Sequence, residues 1–127
     1  MLNSPQAAFR HLKDMASWEQ ETIRVLYLDS KLQLIRDQIV AIGSLNTAHT
    51  HIREILRPAF IVNAHTYIVA HNHPSGDKTP SQEDIYFTQQ IVELSDRLGL
   101  PLQDHLVISQ SGYTSLCQQF PDLFLKK

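Results

Sequence analysis

Several ingredients are scarce in this sequence, and each scarcity closes off a class of protein. There is one cysteine, Cys117. A lone thiol forms no internal disulfide and builds no cysteine-ligated zinc ribbon. Cysteine poverty fits a reducing compartment, so a cytoplasmic location is expected. No apolar stretch approaches the roughly 18 residues of a membrane helix. The N-terminus also lacks the apolar run behind a basic start that marks a secretory signal. No membrane role is therefore expected. Basic residues are not in excess: 11 Lys and Arg stand against 13 Asp and Glu, for a net charge of −2. They are scattered from Arg10 to Lys127, with no run longer than Lys126-Lys127. That distribution leaves no electrostatic footprint for nucleic acid or an anionic surface. There is no internal repeat and no low-complexity tract. At 127 residues, 43% hydrophobic and 19% charged, the composition is that of one ordinary globular domain, expected to span residues 1–127.

What the chain does have is seven histidines, and their positions need an element map. Ser4-Pro5 reads as an N-cap with proline at the first helical position. Ala8, Phe9, Leu12, Met15 and Ala16 follow at helical spacing, predicting a helix from Pro5 to Ala16. Glu21 to Asp29 contains the run Val25-Leu26-Tyr27-Leu28 and reads as a strand buried on both faces. Asp29-Ser30-Lys31 turns the chain, and Leu32 to Ile42 closes a hairpin that Gly43 ends. Asn46 to Thr50 reads as polar loop. His51 to Ala64 reads as a second helix, with Pro58 expected to kink it or start a new turn. Tyr67 to Ala70 is a third strand and runs into the Pro- and Gly-containing loop His71 to Pro80. Thr79 is expected to cap a third helix, with Ile85, Thr88, Ile91, Val92, Leu94, Ser95 and Leu98 on its inner face and Gly99 at its end. Leu102 to Ser109 is a fourth strand, Gly112 turns the chain, and Leu116 to Phe124 is short helix broken at Pro121. Alternating helices and strands predict an α/β fold: a single layered domain with a mixed β-sheet flanked by helices.

The chemistry concentrates at the end of the third strand. His71 and His73 are two residues apart, so strand alternation places both imidazoles on one face. Eleven residues after His73 comes Asp84, in the early part of the third helix, where the helix dipole keeps a carboxylate ionised. Two histidines and one carboxylate are the ligand set of a catalytic zinc with a position left for water. Bound zinc lowers that water's pKa to about 7. Ser81 lies three residues before Asp84 and shares its side of the helix, so its hydroxyl could donate to an oxyanion. Hydrolysis also needs a general base, and a carboxylate outside the zinc shell suits that work. Spacing alone does not say which one.

Each residue also has a bland reading. His-x-His alone describes two surface histidines at a strand end. Ser81 alone is a helix-start residue, and Asp84 a carboxylate that satisfies the dipole. The whole string, His71-x-His73-Pro74-Ser75-Gly76 followed by Ser81-x-x-Asp84, fixes eight residue types over fourteen positions. The bland readings then leave the histidines unexplained.

The string His71 to Asp84, HNHPSGDKTPSQED, resembles the JAMM motif of the MPN/JAB domain, in the form carried by bacterial RadC-type proteins. Val25-Leu26-Tyr27-Leu28-Asp29, Gly43-Ser44-Leu45-Asn46, the Arg53 to Ala64 helix and Leu102 to Val107 fit the same pattern, so the resemblance runs from about Ser4 to Ser109. It implies a zinc-dependent hydrolase with a cytidine-deaminase-like fold, related to peptidases and isopeptidases, and a peptide or protein substrate. It places the zinc ligands on His71, His73 and Asp84, and the oxyanion-stabilising serine on Ser81. It places the catalytic glutamate on Glu21, with Glu19 as the neighbouring alternative. RadC-type members carry a DNA-repair label and usually an N-terminal helix-hairpin-helix region; no such region is expected in these 127 residues. Two rival readings follow: a non-catalytic protein-binding module, and a DNA-repair accessory protein.

Other residues have ordinary expectations. Asp104-His105 either orients a ligand histidine or, more commonly for an apolar strand, supplies a satisfied core histidine. Asn72 and Ser75 shape the loop. His11, His49, His51, His65 and Glu54 read as surface. Cys117 reaches a metal only if the tail folds inward, and Trp18 is a core or interface anchor.

Overall fold

The fold is seen in a computed structural model that describes residues 1–43 and 48–125. Helix α1 spans Pro5–Leu12 and passes into a 3-10 turn, Lys13–Ser17. Strands β1 (Thr22–Leu28) and β2 (Leu34–Ile42) form the expected hairpin. Helix α2 (Ala48–Ile61) leads to β3 (Thr66–Asn72), and helix α3 (Gln82–Arg97) leads to β4 (Leu102–Ser109). A short β5 (Gly112–Ser115), a one-turn α4 (Leu116–Gln119) and a 3-10 turn (Pro121–Phe124) complete the described order.

The strands form one sheet in the order β2-β1-β3-β4-β5. Only β3 and β4 run parallel, joined by α3 as a βαβ crossover; the other neighbours are antiparallel. The mixed, helix-flanked sheet matches the fold class expected from the sequence. Alternation along the strands feeds two cores. Ile23, Val25, Tyr27, Tyr67 and Val69 pack under α2 and α3 with Ile55, Phe87 and Ile91. Leu26, Leu28, Ile68, Ala70, Leu106 and Ile108 face Ala8 and Leu12 of α1 and Met15 of the turn after it. Three layers result, with central strands apolar on both faces as the run in β1 implies.

Several local expectations need correction. The N-cap of α3 is Ser81, not Thr79; Ser81 and Asp84 form a reciprocal capping box, and Thr79 N–H is instead held by the Asp77 side chain. Pro80 therefore precedes the cap. Leu94 on α3 and Leu98 at its C-cap are exposed, and Phe87 is fully buried in their stead. Helix α2 runs through Pro58 without interruption; proline removes only its own N–H donor, and the Pro58 carbonyl still accepts the Val62 N–H at 3.0 Å. The expected loop at Asn46 to Thr50 is helical from Ala48 onward, and Ser44, Leu45, Asn46 and Thr47 lie outside the described residues. Gly112 opens β5, a strand the sequence reading did not contain. Its four residues are too few for alternation to declare itself.

Candidate metal centre

Strand β3 ends inside the sheet and delivers two imidazoles to the α3 face. His71 pairs with Ile23 of β1 and Val107 of β4, and is 2% exposed. His73 follows where the strand stops, its N–H donating to the Ile108 carbonyl at 2.8 Å. The capping box at the start of α3 holds the third member: Ser81 Oγ accepts the Asp84 N–H at 3.1 Å, and Asp84 Oδ2 accepts the Ser81 N–H at 2.9 Å. Asp84 is 1% exposed and faces both rings. One ligand atom from each of His71, His73 and Asp84 lies within 4.8 Å of the other two, so the three could hold a metal ion. The structure thus brings together the three residues named from the motif.

The hydrogen bonds show how each ring is set. His73 Nδ1 lies 2.9 Å from the Asp77 carbonyl, which can only accept, so Nδ1 carries a hydrogen. That fixes Nε2 toward Asp84 Oδ2, 3.0 Å away. A backbone carbonyl holding the far nitrogen is the usual support of a metal-ligating histidine. The Asp84 hydrogen bond also raises the pKa of His73 against the opposing effect of burial. For Asp84 burial pushes upward, but His71, His73 and the Ser81 N–H outweigh it and hold the carboxyl well below the usual carboxylate range.

His71 supplies the test of fit. Its Nδ1 is 3.3 Å from Asp84 Oδ1 and its Nε2 3.6 Å from Glu21 Oε2, both charge contacts without hydrogen-bond geometry. Both nitrogens are buried with no hydrogen-bond partner. A buried imidazole with no partner is costly by about 1–3 kcal/mol. A cation at this cluster would take one of the two nitrogens, and the His-His-carboxylate set is one that zinc accepts. The donors present fit the ion.

Glu21 lies just before β1, partly exposed, and reaches His71 from the side opposite Asp84's contact. Glu19 is exposed on the preceding bend. Beneath the cluster, His105 is fully buried, its ring centroid 6.5 Å from that of His71. Thr88 Oγ1 donates to the Asp84 carbonyl at 2.8 Å, so His105 Nδ1, 2.6 Å from Thr88 Oγ1, is the donor in that contact. Burial pushes the His105 pKa down to about 3, which keeps the ring neutral. Asp104 points to the other face, where it accepts from Ser115 Oγ and the Cys117 N–H and is raised by burial. His105 is thus the satisfied core reading only at Nδ1; its Nε2 has no partner.

The chain matches the RadC-like JAB domain over residues 2–120. It belongs to the RadC-like JAB domain family. A UPF0758 protein of Bacillus pumilus is 46% identical over 105 residues, covering 83% of this chain and 47% of that protein. One from Enterococcus faecalis is 39% identical over 117 residues, covering 92% of this chain and 50% of that protein. One from Methanosarcina acetivorans is 41% identical over 102 residues, covering 80% of this chain and 44% of that protein. This JAB domain chain spans about half the length of the curated relatives it matches.

Some site residues were not found from sequence. Ser111 Oγ donates to the Gly76 carbonyl at 2.8 Å and Thr114 Oγ1 to the Lys78 carbonyl at 2.6 Å. These two bonds bracket Asp77, whose carbonyl orients His73. They join positions 35 and 36 residues apart, a separation with no local signal. Cys117 lies outside the cluster, bound through its N–H to Asp104. Trp18 packs on the α1-side core, with the Arg24 guanidinium 5.7 Å from its ring centroid. His11 is exposed but contacts Asp37 at 2.9 Å; Glu54 and His65 are exposed, and His51 is half-buried.

Proposed function

We propose that this domain is a zinc-dependent hydrolase acting on an amide bond of a peptide or protein substrate. The observation that carries the reading is a His71–His73–Asp84 cluster, His71 and Asp84 buried and His73 partly so, with a partly exposed carboxylate, Glu21, against one of its rings. His71, His73 and Asp84 would hold the ion. The chemistry it supplies when bound is Lewis acidity, which brings a coordinated water's pKa to about 7. Glu21, beside His71 and open to solvent, takes a proton from the attacking water and returns it to the leaving amine. Ser81 Oγ already accepts the Asp84 N–H, so its own hydrogen is free to donate to the carbonyl oxygen as charge develops there. Net charge and the scattered basic residues favour a protein substrate over nucleic acid. Among the described residues no helix is long and apolar enough to cross a membrane.

Metal analysis combined with two variants tests the reading. About one zinc per chain is expected in the wild type and little in His73→Ala. Glu21→Gln should keep the metal and lose on the order of 10²–10⁴-fold in hydrolysis of a peptide library. A wild type that takes up no metal would sink the hydrolase reading. Retained zinc with no cleavage of any library member would favour a binding module.

A further inference from the structure

The alternation that sends His71 and His73 to one face of β3 sends Asn72 to the other. The β1–β3 ladder ends at the pair Ile23 and His71. One step further, where Thr22 comes opposite Asn72, the asparagine side chain takes over from main-chain pairing. Asn72 Oδ1 accepts the Thr22 N–H at 2.7 Å, and Nδ2 donates to the Gln20 carbonyl at 3.0 Å and reaches the Trp18 carbonyl at 3.4 Å. The Gln20 carbonyl belongs to the peptide unit before Glu21 and the Thr22 N–H to the unit after it. One buried planar group, 1% exposed, therefore grips the backbone on both sides of Glu21. The Glu21 carbonyl is held separately by the Gly43 N–H at 2.8 Å. The carboxylate that results lies 3.6 Å from His71.

We propose that Asn72 is a positioning residue for Glu21, setting the angle at which its carboxylate meets the metal-side water. This rests on the hydrolase reading and extends it to a residue between the two histidines. The requirement is specific to a primary amide of this length. An acceptor for Thr22 N–H and a donor for the Gln20 carbonyl must sit in one rigid group. Leucine matches the shape and offers neither; threonine offers one hydroxyl for two distant partners.

The test uses Co²⁺ as a spectroscopic substitute for zinc. The visible absorption of the cobalt protein is followed against pH in the wild type, Glu21→Gln, Asn72→Leu and Asn72→Thr. In the wild type the spectrum should change with pH as the coordinated water ionises, and Glu21→Gln should displace the midpoint. Both Asn72 variants should bind cobalt within about threefold of the wild-type affinity, since no ligand is altered. Their midpoints should move in the same direction as that of Glu21→Gln, by at least about half a pH unit. A purely structural asparagine would lower the melting temperature and leave the midpoint in place. Should Asn72→Leu fail to fold, Asn72→Thr carries the measurement. Wild-type midpoints in the folded Asn72 variants, with Glu21→Gln displaced, overturn the positioning role alone. A wild type that binds no cobalt, or a midpoint indifferent to Glu21→Gln, overturns the hydrolase reading and the role of Asn72 with it.

Discussion

At the scale of single residues, Ser81 and His105 each make contributions that experiment can isolate. Ser81 caps α3 through its oxygen, and in the proposed function its hydrogen donates to the carbonyl oxygen. Ser81→Ala removes both and should cost about 1 kcal/mol of stability, whereas Ser81→Gly should cost only a few tenths. Denaturant titration measures that difference, and hydrolysis should fall alike in both variants. His105 is neutral and fully buried, its pKa lowered to about 3 by burial. The unfolded chain takes up a proton near pH 6.5 that the native state refuses until about pH 3. The stability tied to this residue is therefore complete above pH 6.5 and lost as pH falls toward 3, on the order of 5 kcal/mol over the window. His105→Phe should flatten that part of the stability–pH curve of the metal-free protein. Parallel curves for the two proteins would show that the ring does not resist protonation.

At the scale of elements, the candidate metal centre is built where three pieces of backbone end. Strand β3 brings its histidines, the start of α3 brings Asp84, and the β4–β5 hairpin latches the loop between them. Ser111 and Thr114 supply the latch through the Gly76 and Lys78 carbonyls. Two neutral hydrogen bonds contribute about 1–3 kcal/mol together. Ser111→Ala combined with Thr114→Val should therefore speed amide exchange around Gly76–Thr79. Zinc affinity should weaken by several fold, because the Asp77 carbonyl that orients His73 loses its anchors. Unchanged exchange and affinity would show that the loop holds its shape without β5. At the far edge of the sheet, β2 is open to solvent, with Leu34, Ile35, Ile39 and Ile42 exposed. Arg24 braces it from β1 through two bonds to Asp37, and reaches Asp14 after α1.

For the whole molecule, metal and fold should be linked. Under the proposed function zinc binds the native cluster and finds no assembled site in the unfolded chain, so it should raise stability by about 2.7 kcal/mol at a free concentration 100 times its Kd. Scanning fluorimetry should show a melting temperature several degrees higher with zinc than after chelation, and no such shift in His73→Ala. With a net charge of −2 and no basic run, this chain by itself should give no gel shift with DNA at about 150 mM salt. A salt-resistant complex would revive a nucleic-acid role.

The sequence by itself determined the features whose causes are local. Period-2 alternation placed His71 and His73 together, and the three-residue spacing paired Ser81 with Asp84. The apolar runs marked β1, β3 and β4 as buried strands. The family string named the three side chains, His71, His73 and Asp84, that the structure brings together. Spacing did not choose among carboxylates for the base, because Glu21 and His71 meet only through the pairing of β1 with β3, across 50 residues of chain. The latch from β5, the grip of Asn72 on both sides of Glu21, and the burial of His105 under Thr88 have the same origin. Each joins segments distant along the chain, and only close packing of the layers brings such partners within hydrogen-bonding reach.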